Sequence, residues 1–166
     1  SAQALAAQKG KPQAYALTIT NTTRHPMLAS LRNRETRKRL WEASANRGLG
    51  EAGGIDNRPI LIRLAKLRAQ KAQLLGYESH AAYALENQMA EKPAQAMKML
   101  QDLVPQVVAK AKEEQAAIAI AMKEDGIEGP VQAWDWEYYA EKVRKAKYDM
   151  DENLLRPYFE LNQVLE

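Results

Sequence analysis

The sequence predicts an all-α fold with one long bent helix and at most one short N-terminal strand. Apolar residues recur every three to four positions along most of the chain, as one face of a helix requires. Helix-starting residues (Asn33, Ser79, Pro93) and helix-stopping ones (Gly76, Gly126) bracket those stretches. Only Tyr15-Ala16-Leu17-Thr18-Ile19-Thr20 is rich enough in β-branched and aromatic residues to suggest an extended strand. At 166 residues the chain suits a single helical domain, 1–166, and a domain of that size buries roughly 70% of the surface its unfolded form exposes. Residues 1–25 would form a short helix and the extended segment, and 26–166 the helical body. No repeat of period twenty to fifty emerges, which argues against a helical-repeat array.

Taken in order, a short first helix ends at Gly10, and Pro26 can open a helical turn. Asn33 is placed to cap a helix running to about Asn46, with Leu40 and Trp41 inward and Arg34, Arg37 and Lys38 in water. Gly48-Leu49-Gly50-Glu51-Ala52-Gly53-Gly54 must be a loop. It is not a phosphate cradle, because no Lys-Ser/Thr follows and no strand precedes it. Asp56 or Asn57 can cap the next helix, with Pro59 in its first turn. Its apolar stripe is Ile60, Leu61, Leu64, Leu67, Leu74 and Leu75.

Gly76 ends that helix, and Ser79 starts a short one carrying Tyr83 and Leu85. From Pro93 to about Asp125 the pattern supports a helix of about 50 Å. Met97, Leu100, Leu103, Val104, Val107, Val108, Ala111, Ile118 and Met122 form its buried side. Pro105 lies inside it and removes one backbone hydrogen bond, so a bend is expected there. After Gly126 and Gly129-Pro130, Asp135 can cap a helix with Trp136, Tyr139, Ala140 and Val143 on one face and Glu141 four residues before Lys145. Asp151 can cap a further turn before Arg156-Pro157. Leu161, Val164 and Leu165 then look like the first face of another helix, at which the sequence stops as a fragment would.

Composition narrows the chemistry. The chain is 46% hydrophobic and 27% charged, as an ordinary globular protein is and a disordered tail is not. Without cysteine there is no disulfide framework, thiolate metal site or cysteine nucleophile, and both cytoplasm and periplasm remain open. No apolar run approaches the length that spans a bilayer, and the N-terminus lacks the basic-then-apolar order of a signal peptide. Net charge is only +3, but Arg24, Arg32, Arg34, Arg37, Lys38, Arg39 and Arg47 face only Glu35 and Glu42 within one stretch. That stretch could track a phosphate backbone, yet aromatic stacking partners are sparse, so nucleic acid is the weaker reading. His25 and His80 stand fifty-five residues apart with no second ligand at metal spacing, so both read as structural. Asp149, Asp151 and Glu152 read as helix-capping acids rather than a catalytic pair or calcium loop.

Residues 131–166 hold seven of the chain's eleven aromatic side chains. Ala133-Trp134-Asp135-Trp136 precedes Tyr138-Tyr139, then Arg144, Lys147-Tyr148, Asp151 and Leu155-Arg156-Pro157-Tyr158-Phe159. With Asn21-Thr22-Thr23, Ala29-Ser30-Leu31-Arg32-Asn33-Arg34, Thr36-Arg37, Leu74-Leu75-Gly76-Tyr77 and Gln88-Met89-Ala90, this series resembles the thimet oligopeptidase and neurolysin family of zinc metallopeptidases. The bacterial peptidyl-dipeptidase branch is the most similar, and the resemblance covers nearly the whole chain.

The resemblance implies a zinc enzyme with a narrow channel that admits short peptides. There zinc polarises the scissile carbonyl, a glutamate-assisted water attacks, and dipeptides leave from the C-terminus. It also implies a His-Glu-x-x-His helix, but His25 is followed by Pro26-Met27 and His80 by Ala81-Ala82. No catalytic residue and no metal ligand can therefore be placed here. The expectation is an inactive, channel-forming portion upstream of the zinc motif, with zinc in the parent enzyme only. Its partners would be peptide substrate, the remainder of the parent chain, and a second copy through exposed interdomain surface, with no membrane. Trp134 and Trp136 read as packing, while Tyr138 and Tyr139 are candidates for the channel wall, since tyrosine suits half-wet positions. The alternatives are an oligopeptidase of the same family and a stand-alone helical binding module using the basic stretch.

Overall fold

The computed structural model describes residues 2–50, 54–148, 154 and 156–158 and is all-α. The helices are α1 (Ala2–Gln8), α2 (Asn21–Ser30), α3 (Arg34–Ala45), α4 (Arg58–Leu74), α5 (His80–Leu85), α6 (Pro93–Glu124) and α7 (Ala133–Tyr148). A 3-10 turn follows at Arg156–Tyr158. The readings made for Asp149, Asp151, Glu152, Leu161, Val164 and Leu165 lie outside the described residues.

Local signals set most helix ends. The Asn33 side chain accepts from the Thr36 amide at 2.8 Å and the Thr36 hydroxyl at 3.0 Å, satisfying an orphan donor at the start of α3. Asn33→Ala is expected to cost about 1 kcal/mol in urea unfolding followed by tryptophan fluorescence. An unchanged midpoint would show that Asn33 does not act as a cap. Ser79 Oγ accepts from the Ala82 amide at 3.1 Å and starts α5 in the same way. At the end of α4, Gly76 takes φ +81°, which L side chains rarely adopt. Its amide bonds the Gln73 carbonyl and the Tyr77 amide bonds the Ala72 carbonyl, closing the helix as a Schellman pair. Gly10 and Gly126 end α1 and α6 with the same two bonds.

Three details of local secondary structure differ from the sequence expectation. Tyr15–Thr20 contains no strand, because no second segment pairs with it among the described residues; the Ala16 amide bonds the Ala2 carbonyl instead. Helix α2 begins at Asn21 and carries Pro26 within it rather than at its opening. Asp135 is the third residue of α7, not its cap, and reaches back to the Gln132 amide at 3.2 Å, as an acid at that position does in a capping box.

The chain divides into two compact units. The first, residues 1–44 and 114–166, contains the core. Ile118, Ala121 and Met122 from the end of α6 pack with Tyr139 of α7, and Ile127, Val131, Trp136, Ala140 and Val143 close around them. Helix α2 packs on α7, with Leu28 buried.

The second unit, residues 45–113, has no comparable core. Gly48 and Asn57 close its loop by a 2.7 Å backbone bond, Leu49 and Asp56 form a lone antiparallel bridge, and α5 packs on α4. Among its described residues only Ala72 is buried. The apolar stripes of α4 and α6 exist at the predicted positions but are not covered. Ile60, Leu61, Leu67, Leu74, Met97, Leu100, Val104 and Val107 are all exposed, whereas Ile118 and Met122 of the same α6 stripe are buried in the first unit. Helix α6 runs through Pro105, which leaves the Gln101 carbonyl without its usual donor from four residues on.

Candidate functional site

The start of α7 gathers the largest concentration of buried polar and aromatic chemistry, all within the first unit. Asp135 is 0% exposed between Trp134 and Trp136, so its charge has to be paired. Arg34 supplies a two-pronged contact, Nε at 2.9 Å and Nη2 at 2.7 Å, and Arg37 Nη2 adds a third at 3.3 Å. Arg34 and Arg37 lie three apart on α3, which puts them on one face. Arg37 is also 0% exposed, contrary to the expectation that it would be in water. Besides Asp135, it donates to the carbonyls of Leu31 (2.9 Å), Arg32 (3.0 Å) and Trp134 (3.1 Å). It thereby ties the α2–α3 turn to the first turn of α7.

Burial pushes the Asp135 carboxyl up, but the Arg34 hydrogen bonds, the Gln132 amide, the Arg34 charge and the Arg37 hydrogen bond outweigh it. The net pKa lies below the ordinary aspartate value. A carboxyl lower in the folded than in the unfolded state adds stability that is complete above its unfolded pKa and is lost as pH falls through the folded one. Urea midpoints should therefore stay level from neutral pH to about 5 and fall below about 4. Trp41, Trp134 and Trp136 all report on this unit, and Asp135→Asn should shrink the fall; an equal acid dependence in that variant would refute the assignment.

The aromatic pair behind this network is not equivalent. Tyr139 is 1% exposed, and burial together with the nearby Asp125 carboxylate, which takes Lys142 Nζ at 2.6 Å, raises its pKa. Tyr138 is half-buried and meets Tyr139 edge-on, with centroids 5.0 Å apart. The Arg37 guanidinium lies 4.3 Å over its ring. Trp134 packs edge-on against Trp41 at 6.1 Å, and Trp136 against the core, as packing residues do.

The two histidines are far from forming a metal site. His25 of α2 accepts from Arg24, which has only donors to offer, so its Nδ1 carries the proton towards Glu137 Oε1 at 3.3 Å. His80, in the second unit, stacks near Tyr83 at the start of α5. Among the described residues no three His, Cys, Asp or Glu side chains come together as a metal site. These residues do not fit a catalytic zinc centre, and no step of catalysis is assigned to them. No described helix is long and apolar enough to cross a membrane.

The buried Arg34–Asp135–Arg37 network escaped the sequence reading because its partners are 98 to 101 residues apart. A lone acid between two tryptophans, with two arginines three apart elsewhere, was the available signal.

With this arrangement established, comparison with known proteins places the chain. Residues 27–166 match the description Peptidase family M3, and the chain belongs to that family. It is 39% identical over 160 residues to the dipeptidyl carboxypeptidase of Escherichia coli (strain K12), covering 96% of this chain and 23% of that protein. It is 42% identical over 164 residues to the dipeptidyl carboxypeptidase of Salmonella typhimurium, covering 97% and 24%. To oligopeptidase A of Salmonella typhimurium it is 34% identical over 171 residues, covering 98% and 25%. The chain thus spans about a quarter of the length of these relatives.

Proposed function

We propose that this chain is a non-catalytic, channel-forming helical portion of a peptidyl-dipeptidase-like zinc metallopeptidase, whose parent releases dipeptides from the C-termini of short peptides. The observation that carries this reading is the match of almost the whole chain to about a quarter of two dipeptidyl carboxypeptidases, at 39% and 42% identity. Exposed apolar stripes on α4 and α6 support it, since such surface on a water-soluble domain marks an interaction face. In this reading the remainder of the polypeptide covers those stripes and supplies zinc and its ligands. Tyr138 presents its half-wet ring to the peptide, with Tyr139 supporting it from behind.

The 34% identity to oligopeptidase A keeps an oligopeptidase as the second reading. A stand-alone module with a basic contact surface is less favoured, because much of that basic stretch is engaged within the chain. Arg24 bonds Ser44 at 2.9 Å, Arg34 and Arg37 hold Asp135, and Lys38 faces Glu42 at 3.9 Å.

The test has two arms. The coding sequence beyond Glu166 should contain His-Glu-x-x-His, and its product should release dipeptides from unblocked short peptides in a chelator-sensitive reaction. The purified 166-residue chain should show no such activity. Activity in the isolated chain would overturn the non-catalytic assignment, and internal cleavage without dipeptide release by the longer product would favour the oligopeptidase.

A further inference from the structure

We infer that Arg37 is a positioning residue for peptide binding, acting by fixing the orientation of Tyr138; this rests on the channel-wall reading of Tyr138. All three guanidinium nitrogens of Arg37 are anchored. Nε donates to Trp134, Nη1 to Leu31 and Arg32, and Nη2 to Asp135, at 2.9 to 3.3 Å. A planar cation bonded at every nitrogen cannot rotate, and its central carbon lies 4.3 Å over the centre of the Tyr138 ring. Tyr139, 1% exposed and packed in the core, meets the same ring at an interplanar angle of 86°. Tyr138 is therefore in contact with two groups that are themselves fixed in place.

Its hydroxyl has no hydrogen-bond partner among the described residues, and the side chain retains exposure. An aromatic fixed in advance with an unengaged hydroxyl loses little side-chain freedom when a peptide group bonds to it. The ligand class that suits it is a peptide backbone or apolar side chain lying along the ring edge. Asp135 serves the same end indirectly, by holding Arg37.

The test is a double-mutant cycle in the full-length peptidase that carries this segment. KM and kcat are measured for a short unblocked peptide, and the melting temperature of each variant is recorded so that assays are run on folded protein. Tyr138→Ala is expected to raise KM roughly threefold to tenfold with kcat within about twofold, as loss of one binding contact does. Arg37→Lys keeps the charge but not the fork, and should raise KM alone by a comparable factor. On the Tyr138→Ala background it should add nothing further. If Arg37→Lys does not fold, Asp135→Asn, which removes the charged anchor of Nη2, replaces it under the same criterion.

An unchanged KM in Tyr138→Ala would defeat the wall reading and this inference with it. A raised KM in Tyr138→Ala, with Arg37→Lys silent or fully additive, would overturn the positioning role alone. A fall in kcat with KM unchanged in Arg37→Lys would also overturn it.

Discussion

Asp135→Ala is expected to destabilise the first unit by about 3–5 kcal/mol, the cost of leaving a buried charge without its partner. The size follows from what the alanine leaves behind. Arg37 stays fully buried, held only by three carbonyls, with no anion to balance its charge. Arg34 loses both prongs of its contact, but it is more than a third exposed, so water recovers much of that loss. Arg37→Met is expected to be no milder. It removes the cation but strips the Leu31, Arg32 and Trp134 carbonyls of their donor in a part-buried place. Urea unfolding followed by tryptophan fluorescence measures both variants. A loss below about 1 kcal/mol for Asp135→Ala would mean that the network is no more than a surface pair.

The second large expectation concerns association. The purified 166-residue chain should self-associate, with its light-scattering mass rising above 18.7 kDa as concentration increases. Ile60, Leu61, Ile62, Leu67 and Leu74 on α4, and Met97, Leu100, Val104 and Val107 on α6, all present apolar surface to solvent. Each square ångström of such surface removed from water contributes about 25 cal/mol. Pairing these nine exposed side chains therefore outweighs the cost of bringing two chains together once a few hundred square ångströms per chain are covered. A constant monomeric mass up to high concentration, with no dye binding to apolar surface, would count against it.

How far the sequence could be read depended on the distance over which each signal acts. Asn33, Ser79, Gly76 and Gly126 act within four or five residues, and each sets a helix end where the sequence places it. The stripe of Ile118, Met122, Tyr139 and Val143 was equally legible, because helical spacing marks one face. Spacing marks a face without saying what covers it, which is why Leu100 and Val104 carry the same pattern as Met122 yet lie exposed. At the candidate site the aromatic cluster was visible, but which of its members is buried was not: Tyr139 is 1% exposed, while Trp134, Trp136 and Tyr138 are all half-buried. The burial of Arg37 was not visible either, since one arginine among several on a polar, basic helix reads as a wet residue until its distant acid is known.

The 98-residue separation of Arg37 from Asp135 also has a consequence for synthesis. Translation at roughly 5–20 residues per second leaves about 5–20 s between the emergence of the cation and that of its anion. During that interval the turn joining α2 and α3 has no α7 to dock on, and the intervening chain must close a long loop before the core can form. The N-terminal helices therefore emerge from the ribosome as unfinished business, a stage at which a chaperone would find both a bare charge and the uncovered side of Leu28.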